Sequence, residues 1–546
     1  MTLLGRIVQD LRAERRLLAG VVGGTLVYAT ARVLPPLAAR FLLDRSLAGQ
    51  PAVVAGLHLS PQAAVAAVPF VLLGLAAALA GAHYAIRLWS ALLGQRFVGR
   101  LQVKLLVHLL RTPVPVLERR TLGSQLIRFN SDMSTVKRFV SRSVPELGRD
   151  ILAITVIAAT LVMLHRPLAF VAVGIVTSYL VVAGLWWRRL AAAGRALRTA
   201  RRRISGVAYD RLVVSSQVKL TGRARREARR MRRAQDVVLR QSRTVAVLAG
   251  RLSGAAELAV GSMIALSLGI GAREVLAGTL SRGEMVAVYG LMLMLFGPLR
   301  TLGRTLEALA LGRVAFDRLY RLLDEPVERD GKGAVRLDVP QGAVSFTGVR
   351  VGQHTFPDLH ISAGVTVVTA PPGSGISTLG QLLVRLRQPT SGLVCVDGTE
   401  VSGVQLRSLR RQISYIPASA PLLKGSVRMN VLAGSGGAAD QTALQALRAV
   451  GATWATSDLL AAPVGTGGRR LSAMQRWHVL CARAVVAGPA IVVFDGVPAT
   501  GDGVNAAIGG LIEAGVRSVL LLTEQALPEV RGTHITTVRP LEPVYA

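Results

Sequence analysis

"VTVVTAPPGSGISTLGQLLVRL" occupies residues 365–386. An apolar run with the composition of a buried strand enters a glycine-rich turn, and a helical pattern leaves it. The phosphate loop of nucleotide-binding proteins reads G-x-x-x-x-G-K-[ST] between a strand and a helix. Here Ala370 stands at the first glycine and Ile376 at the lysine. Gly375, Ser377 and Thr378 are in place, and Gly373 and Ser374 join them as candidate nucleotide-binding residues of the loop. The strand–turn–helix context separates such a loop from a chance run of small residues. The stretch therefore reads as a phosphate loop whose lysine has been replaced.

Two more apolar runs follow, "AIVVFDG" (490–496) and "SVLLLTE" (518–524). Both have the continuous hydrophobicity of strands in a parallel sheet. From about residue 335 onward, strand, turn and helix signals alternate, which predicts an α/β domain.

Upstream the text is different. The chain has 546 residues, too many for one core, and 51% of them are hydrophobic. Its mean hydropathy is +0.45. Apolar stretches near 17–43, 64–93, 147–165, 168–187, 246–271 and 284–303 are each long enough to cross a bilayer, which needs ~20 residues. The third and fourth are separated by "HRP" at 165–167, a hairpin turn. The start, "MTLLGRIVQDLRAERR", carries apolar residues on one helical face and reads as an interfacial helix over 1–16.

The formal net charge is +34, from 65 Lys and Arg against 31 Asp and Glu. Its placement argues against nucleic acid as the partner. Residues 94–143 hold ten Lys or Arg and two acids; residues 188–243 hold eighteen and three. Residues 46–86 hold none of either sign. That asymmetry is the positive-inside bias of a membrane protein, with both basic stretches cytoplasmic. The run "RARREARRMRR" (223–233) reads as a solvated helix face beneath the membrane lipids. The cysteines, Cys395 and Cys481, have no metal or disulfide spacing.

Ionisable residues inside spans point to a site by default. Arg32, near Pro35 and Pro36, is the strongest candidate for the substrate path. Glu257 is its candidate partner, with Arg251 as the local alternative. His83 is a weaker candidate that a wet end of the helix also explains.

Taken in order, these features resemble the ATP-binding cassette exporters over nearly the whole chain. "LGSQLIRFNSDMSTVKRFV" (122–140) and "SGVAYDRLVVSSQVKLTGRARRE" (205–227) look like the first and second coupling segments. "LRRQISYIPASAPLLKGSVRMNVL" (409–432) is similar to the segment carrying the Q-loop. "LSAMQRWHVLCARAVVAGPAIVVFDGVPATGDG" (471–503) is similar to the signature, its helix, the Walker B strand and the D-loop, with Asp502 in the last. The resemblance implies a polytopic six-helix membrane domain of the exporter type over 17–325. A RecA-like α/β nucleotide-binding domain with a helical subdomain then spans 326–546. It also implies a multi-pass protein of the cell membrane with its termini and nucleotide domain in the cytoplasm.

The departures from the family fall on its chemistry. Ile376 cannot reach the β- and γ-phosphates as lysine does. The Q-loop glutamine aligns with Ala418. The carboxylate of Walker B is kept as Asp495, but the water-polarising glutamate aligns with Gly496. The switch histidine aligns with Glu524, and the aromatic that stacks on adenine with Gln353. The signature reads Leu471, Ser472, Ala473, Met474, Gln475, with Met474 where glycine lets the backbone approach the γ-phosphate. No catalytic residue is expected in this chain. Ser377 and Asp495 retain the means to hold ATP with Mg2+ weakly; in the plainer reading Ser377 and Thr378 only cap a helix.

The resemblance then implies the degenerate half of a heterodimeric exporter, driven by ATP hydrolysed with an intact partner half-transporter and moving a hydrophobic, peptide-like or lipid-like substrate. The alternatives are a membrane scaffold or assembly subunit that never pumps, and a homodimer that senses nucleotide without turnover.

Overall fold

The computed structural model describes residues 3–47, 52–54, 57–118, 122–434, 439–497, 502–524 and 534–537. It divides into two compact units, Met1–His108 with Gly123–Asp324, and Leu109–Leu122 with Glu325–Ala546.

The first unit is helical: α1 (Leu3–Arg12), α2 (Arg15–Ala31), α3 (Leu34–Leu47), α4 (Pro61–Leu110), α6 (Leu122–Arg138), α7 (Val144–Leu164), α8 (Arg166–Val213), α9 (Ser215–Leu220), α10 (Ala224–Leu276), α11 (Arg282–Met294) and α12 (Phe296–Leu323). Short α5 (Val114–Glu118) belongs to the second unit. A small hairpin, β1 (Ala52–Val54) and β2 (Leu57–Leu59), follows α3. Among the described residues, six helices or helix pairs are long and apolar enough to cross a membrane. They bear large apolar side chains outward, among them Phe70, Leu73, Phe170 and Leu258, as helices facing lipid do. At 1.5 Å per residue, the 50 residues of α4 and 53 of α10 span roughly 75–80 Å, far beyond a bilayer's ~30 Å core. The extra length carries the basic stretches.

Two spans are broken. The first parts at Arg32 and Val33, because Pro35 and Pro36 cannot donate to the preceding turn and therefore sit in the first turn of a new helix. The last parts at Leu295, between α11 and α12. One apolar core joins Ile157, Leu161, Ala172, Met263 and Leu291. A second gathers Phe97, Leu105, Met133 and Phe316, with the Phe316 ring 5.8 Å from that of Phe97 and 5.4 Å from that of Phe139.

The second unit holds two sheets. The antiparallel one comprises β3 (Val344–Val351), β4 (His354–Thr355), β5 (Leu359–Ile361), β7 (Ser391–Val396) and β8 (Thr399–Glu400). The parallel one runs β12-β6-β11-β10-β9, from β6 (Gly364–Thr369), β9 (Ile413–Pro417), β10 (Ile491–Asp495), β11 (Ser518–Thr523) and β12 (His534–Thr537). Its central strands are buried on both faces, which is why they read as unbroken apolar runs. Helix α13 (Ile376–Leu383) follows β6. The helical part contains α14 (Leu406–Gln412), α15 (Val427–Val431), α16 (Asp440–Ala449), α17 (Ser457–Leu460), α18 (Ala473–Ala487) and α19 (Asp502–Glu513).

The expected 17–325 membrane domain thus cedes Leu109–Leu122 to the second unit. There Arg111 O accepts from Glu328 N at 2.6 Å, and Glu118 pairs with Arg387 at 2.5 Å. The segment 122–140, expected to couple, forms most of α6 (Leu122–Arg138), and the side chains of its residues 122–129 lie outside the described residues; α5 belongs to the second unit.

Candidate functional site

In open parallel sheets, ligands bind beyond the carboxyl ends of the strands. Two such ends meet here. The turn after β6 leads through Gly373 (φ +81°) and Gly375 (φ +79°) into α13. Asp495 ends β10, separated from β6 only by β11. The left-handed glycines turn the chain tightly enough for the helix to start within a few residues of the strand.

Ile376 does not extend toward this opening. It is 5% exposed and belongs to the core with Val368, Ala370 and Leu379. The loop's cationic reach is therefore replaced by packing. Ser374 is also buried, with an unpartnered hydroxyl. Thr378 is half-buried, its N–H donating to Gly375 O at 2.8 Å.

Asp495 is held by hydroxyls on both oxygens. Ser377 Oγ donates to Oδ1 at 2.7 Å and Tyr415 Oη to Oδ2 at 2.5 Å. The Tyr415 ring lies against Gly380, where a Cβ would stand 2.5 Å from Cε2. Burial, then the hydrogen bond from its hydroxyl to Asp495, pushes the Tyr415 phenol well above its usual pKa. Nearby, Gln381 accepts from Arg387 Nε at 2.6 Å. Tyr415, Gln381 and Arg387 were not among the sequence candidates, since an aromatic on a buried strand reads as core.

The remaining positions are set by backbone. Gly496 has φ +77°, and its N–H donates to Leu522 O at 2.8 Å. A Cβ on it would come 3.3 Å from the Cβ of Ala418. Glu524 is exposed just beyond β11. Gln353 is exposed at the β3–β4 turn and lines a cleft of about 490 Å³ with His354, Phe356, Gly375, Thr378 and Arg387.

For a divalent cation the site offers little beyond Ser377 and Asp495. Each oxygen of Asp495 already accepts one hydroxyl, and neither Ala418 nor Gly496 carries a side-chain oxygen. The expected pair Ser377 and Asp495 stand together, hydrogen-bonded to each other.

In the signature stretch, Ser472 caps α18. Its Oγ accepts from Gln475 N at 3.1 Å, and Gln475 Oε1 accepts from Ser472 N at 2.9 Å, a reciprocal capping box. Leu471 and Met474 pack against the core of the helical part, and Met474 Cε would stand 3.7 Å from a Cβ on Gly503. Met474 thus folds inward beside exposed Ala473. Asp502 begins α19, and its side chain lies outside the described residues.

The membrane candidates separate. Arg32 donates from Nη2 to Met294 O at 3.4 Å, a carbonyl at the break between α11 and α12. Glu257 is exposed, and among the described residues it pairs with neither Arg32 nor Arg251, whose guanidinium lies 6.0 Å from the Trp186 ring centroid. The expected Arg32–Glu257 pair is therefore absent; α10 turns Glu257 away from its buried face of Leu252, Ala256 and Val260.

His83 does join a site. A cavity of about 350 Å³ is lined by His83, Arg87, Ser90, Arg142, Glu146 and Arg149, among others. His83 Nε2 accepts from Arg87 Nε at 3.0 Å. Arg142 pairs with Glu146 at 2.9 Å, and Arg149 with buried Asp150 at 2.9 Å. Ser90 is 3% exposed, and its hydroxyl has no partner. On another side of Pro145, a cavity of about 490 Å³ is almost wholly apolar, lined by Leu18, Val22, Leu93, Val140, Ile151 and their neighbours.

Residues 43–299 match the family model described as the ABC transporter transmembrane region, and residues 358–497 the model described as ABC transporter. The chain is 26% identical over 508 residues to the ATP-dependent lipid A-core flippase of Cupriavidus pinatubonensis, covering 90% of this chain and 84% of that one. The flippase of the same name from Thiobacillus denitrificans is 26% identical over 510 residues, covering 90% and 85%. A solved bacterial Atm1-family ABC exporter with ATP bound matches with a TM-score of 0.80 over 97% of this chain and 94% of that one. Its 20% identity makes that likeness one of fold.

Proposed function

This chain belongs to the ABC transporter family as an exporter-type half-transporter, a multi-pass membrane protein with a cytoplasmic nucleotide-binding domain, and on that premise we propose that it is the non-hydrolysing half of an exporter pair. Domains of this family take ATP with Mg2+ in general, and half-transporters of this type dimerise. In the proposed pair, a partner with intact motifs hydrolyses ATP at the site it forms with this chain's signature stretch. This chain's own loops hold nucleotide without turnover and lend half of the substrate path. The observation that carries this reading is Gly496: the position after Asp495 has no side chain to polarise water, and its left-handed backbone resists one.

The substrate side of the proposal is an anionic, lipid-like amphiphile. The cavity at Arg87, Arg142 and Arg149 offers cations and a buried free hydroxyl to a phosphate-type head, while the neighbouring apolar cavity suits an acyl chain. The relatives named as lipid A-core flippases support the same class.

Purification of the chain from its native membrane, with identification of what accompanies it, tests the pairing. The expected result is a second half-transporter with lysine, glutamate and histidine in place, ATPase activity in the pair, and background activity in this chain alone. A turnover of ~1 per second by the lone chain, within the ordinary enzyme range, overturns the proposal. A second reading, a membrane scaffold that never pumps, is favoured by one observation: Ser472 and Gln475 cap each other and Met474 occupies the glycine position. Recovery of the chain with a biosynthetic or secretion complex and no second half-transporter selects it.

A further inference from the structure

We propose that the metal position of this chain's nucleotide site is filled by its own hydroxyls, Tyr415 and Ser377 on the Asp495 carboxylate, so that the site takes a nucleoside triphosphate free of magnesium. The inference rests on the reading that this chain holds nucleotide without hydrolysing it.

Magnesium demands near-octahedral oxygen ligation at about 2.0–2.1 Å and is held through one or two carboxylates together with substrate phosphates. Asp495 is the carboxylate at the expected place, and each of its oxygens already accepts one hydroxyl. Ser377 is a small side chain on the first turn of α13 and turns aside at little cost. Tyr415 does not. Its ring is fixed against the Cα of Gly380, a position where any Cβ would stand 2.5 Å from Cε2 and 2.9 Å from Cδ2. Its hydroxyl donates to Asp495. An O–H···O− bond of 2.5 Å between half-buried groups is of the strong, charge-assisted type.

Gly380 and Tyr415 form a matched pair: the glycine on the helix leaves the room that the ring on β9 occupies. Neither Ala418 nor Gly496 carries a side-chain oxygen to recruit a cation from the Q-loop or Walker B side. The countercharge for the phosphates comes instead from the positive N-terminal end of α13.

The test uses the full chain, expressed alone and reconstituted in lipid nanodiscs, with trinitrophenyl-ATP as the probe. Its affinity is measured in excess MgCl2 and in excess EDTA, for the wild type, Tyr415→Phe and Asp495→Asn. The expected wild-type affinities agree within about twofold, whereas Tyr415→Phe frees one carboxylate oxygen and binds at least about tenfold more tightly with magnesium than without. Asp495→Asn, which removes a negative charge near the phosphates, binds no more weakly than wild type in either buffer. Wild-type binding that magnesium strengthens tenfold overturns the proposal, as does a loss in Asp495→Asn confined to the magnesium buffer. Absence of binding in both buffers also overturns it. Hydrolysis by the lone chain is a separate measurement, so failure of the underlying reading is told apart from failure of this one.

Discussion

Gly496 and Ala418 stand so close that a Cβ on the glycine would lie 3.3 Å from the Cβ of the alanine, and the glycine backbone is left-handed at φ +77°. At the two positions where the family keeps a glutamate and a glutamine, a side chain on the first would therefore crowd the second. Restoring the motif letters does not restore the site. Gly496→Glu with Ile376→Lys is expected to leave the ATPase of a co-purified pair within about twofold of wild type. It is also expected to lower the chain's own stability by roughly 1–3 kcal/mol, because a non-glycine residue is forced to positive φ and a charged chain replaces one that is 5% exposed in the core. Steady-state ATPase and thermal unfolding of the double variant check both. Strong activation by the double variant would show that the lost side chains alone silence the site.

These departures were legible as letters, because the flanking text still follows the family motif. Their consequences were not. That Ile376 packs into the core, and that Gly496 is left-handed, depend on where the turn after β6 and the end of β10 point the chain. Tyr415 was invisible for a general reason: in a buried strand an aromatic is ordinarily core, and only the gap at Gly380 aims its hydroxyl at Asp495. The six spans were readable from hydropathy alone, but the breaks at Arg32 and Leu295 were not placed. The pairing of Arg32 with Glu257 failed because sequence shows that both lie in spans without showing which face of α10 is buried.

The arginine cavity yields a prediction about the substrate. Arg87 and Arg142 are exposed around it, while Arg149 is tied to buried Asp150, which also accepts from Thr301 at 2.6 Å. Arg149→Ala would strand a buried charge and destabilise the bundle, so it is a poor probe. Arg87→Ala with Arg142→Ala leaves that network intact. In the reconstituted pair, the double variant is expected to need about tenfold more anionic lipid for half-maximal stimulation of ATPase, a loss of ~1.4 kcal/mol, with basal turnover unchanged. The wild-type response is expected to weaken as salt rises. An unchanged response to anionic lipid places the head-group site elsewhere.

A pH effect follows from His478. It is 5% exposed; its Nδ1 accepts from Trp454 Nε1 at 3.2 Å, and its Nε2 is buried without a partner. Burial lowers its pKa from the usual 6.5. The folded chain therefore keeps the ring neutral where the unfolded chain begins to protonate it. The stability this confers is full above pH 6.5 and declines as pH falls from 6.5 toward the lower folded value, where the decline stops. His478→Asn keeps an acceptor for Trp454 and removes the titration. Thermal unfolding of the wild type at pH 7.5 and 5.5 is expected to show a drop on acidification that is smaller in the variant. Equal drops would mean that other groups set the acid sensitivity.

The last prediction concerns which composite site works in a pair. One site joins this chain's Ile376, Asp495 and Gly496 to the partner's signature; the other joins the partner's catalytic loops to Ser472, Ala473, Met474 and Gln475. Hydrolysis belongs to the second. There Met474 is folded against the core of the helical part, next to Gly503, yet its Cβ remains on the first turn of α18, where the backbone must approach the γ-phosphate. Met474→Gly removes that obstruction and some packing together. The packing loss lowers stability by up to about 2–3 kcal/mol, as for other partly buried methionines. The recovered backbone contact to a charged phosphate is worth roughly 1.5–3 kcal/mol in the closed state, so turnover is expected to rise about tenfold at temperatures well below unfolding. Ala473→Gly, one residue earlier and exposed, supplies the same backbone freedom without touching the core and is expected to change turnover by less than about twofold, since only position 474 faces the obstruction. ATPase of the co-purified pair, assayed with a matched unfolding curve for each variant, separates the two effects. If Met474→Gly stays folded and turnover stays flat or falls to nothing, the second site is not the engine, and the scaffold reading gains over the transporting one.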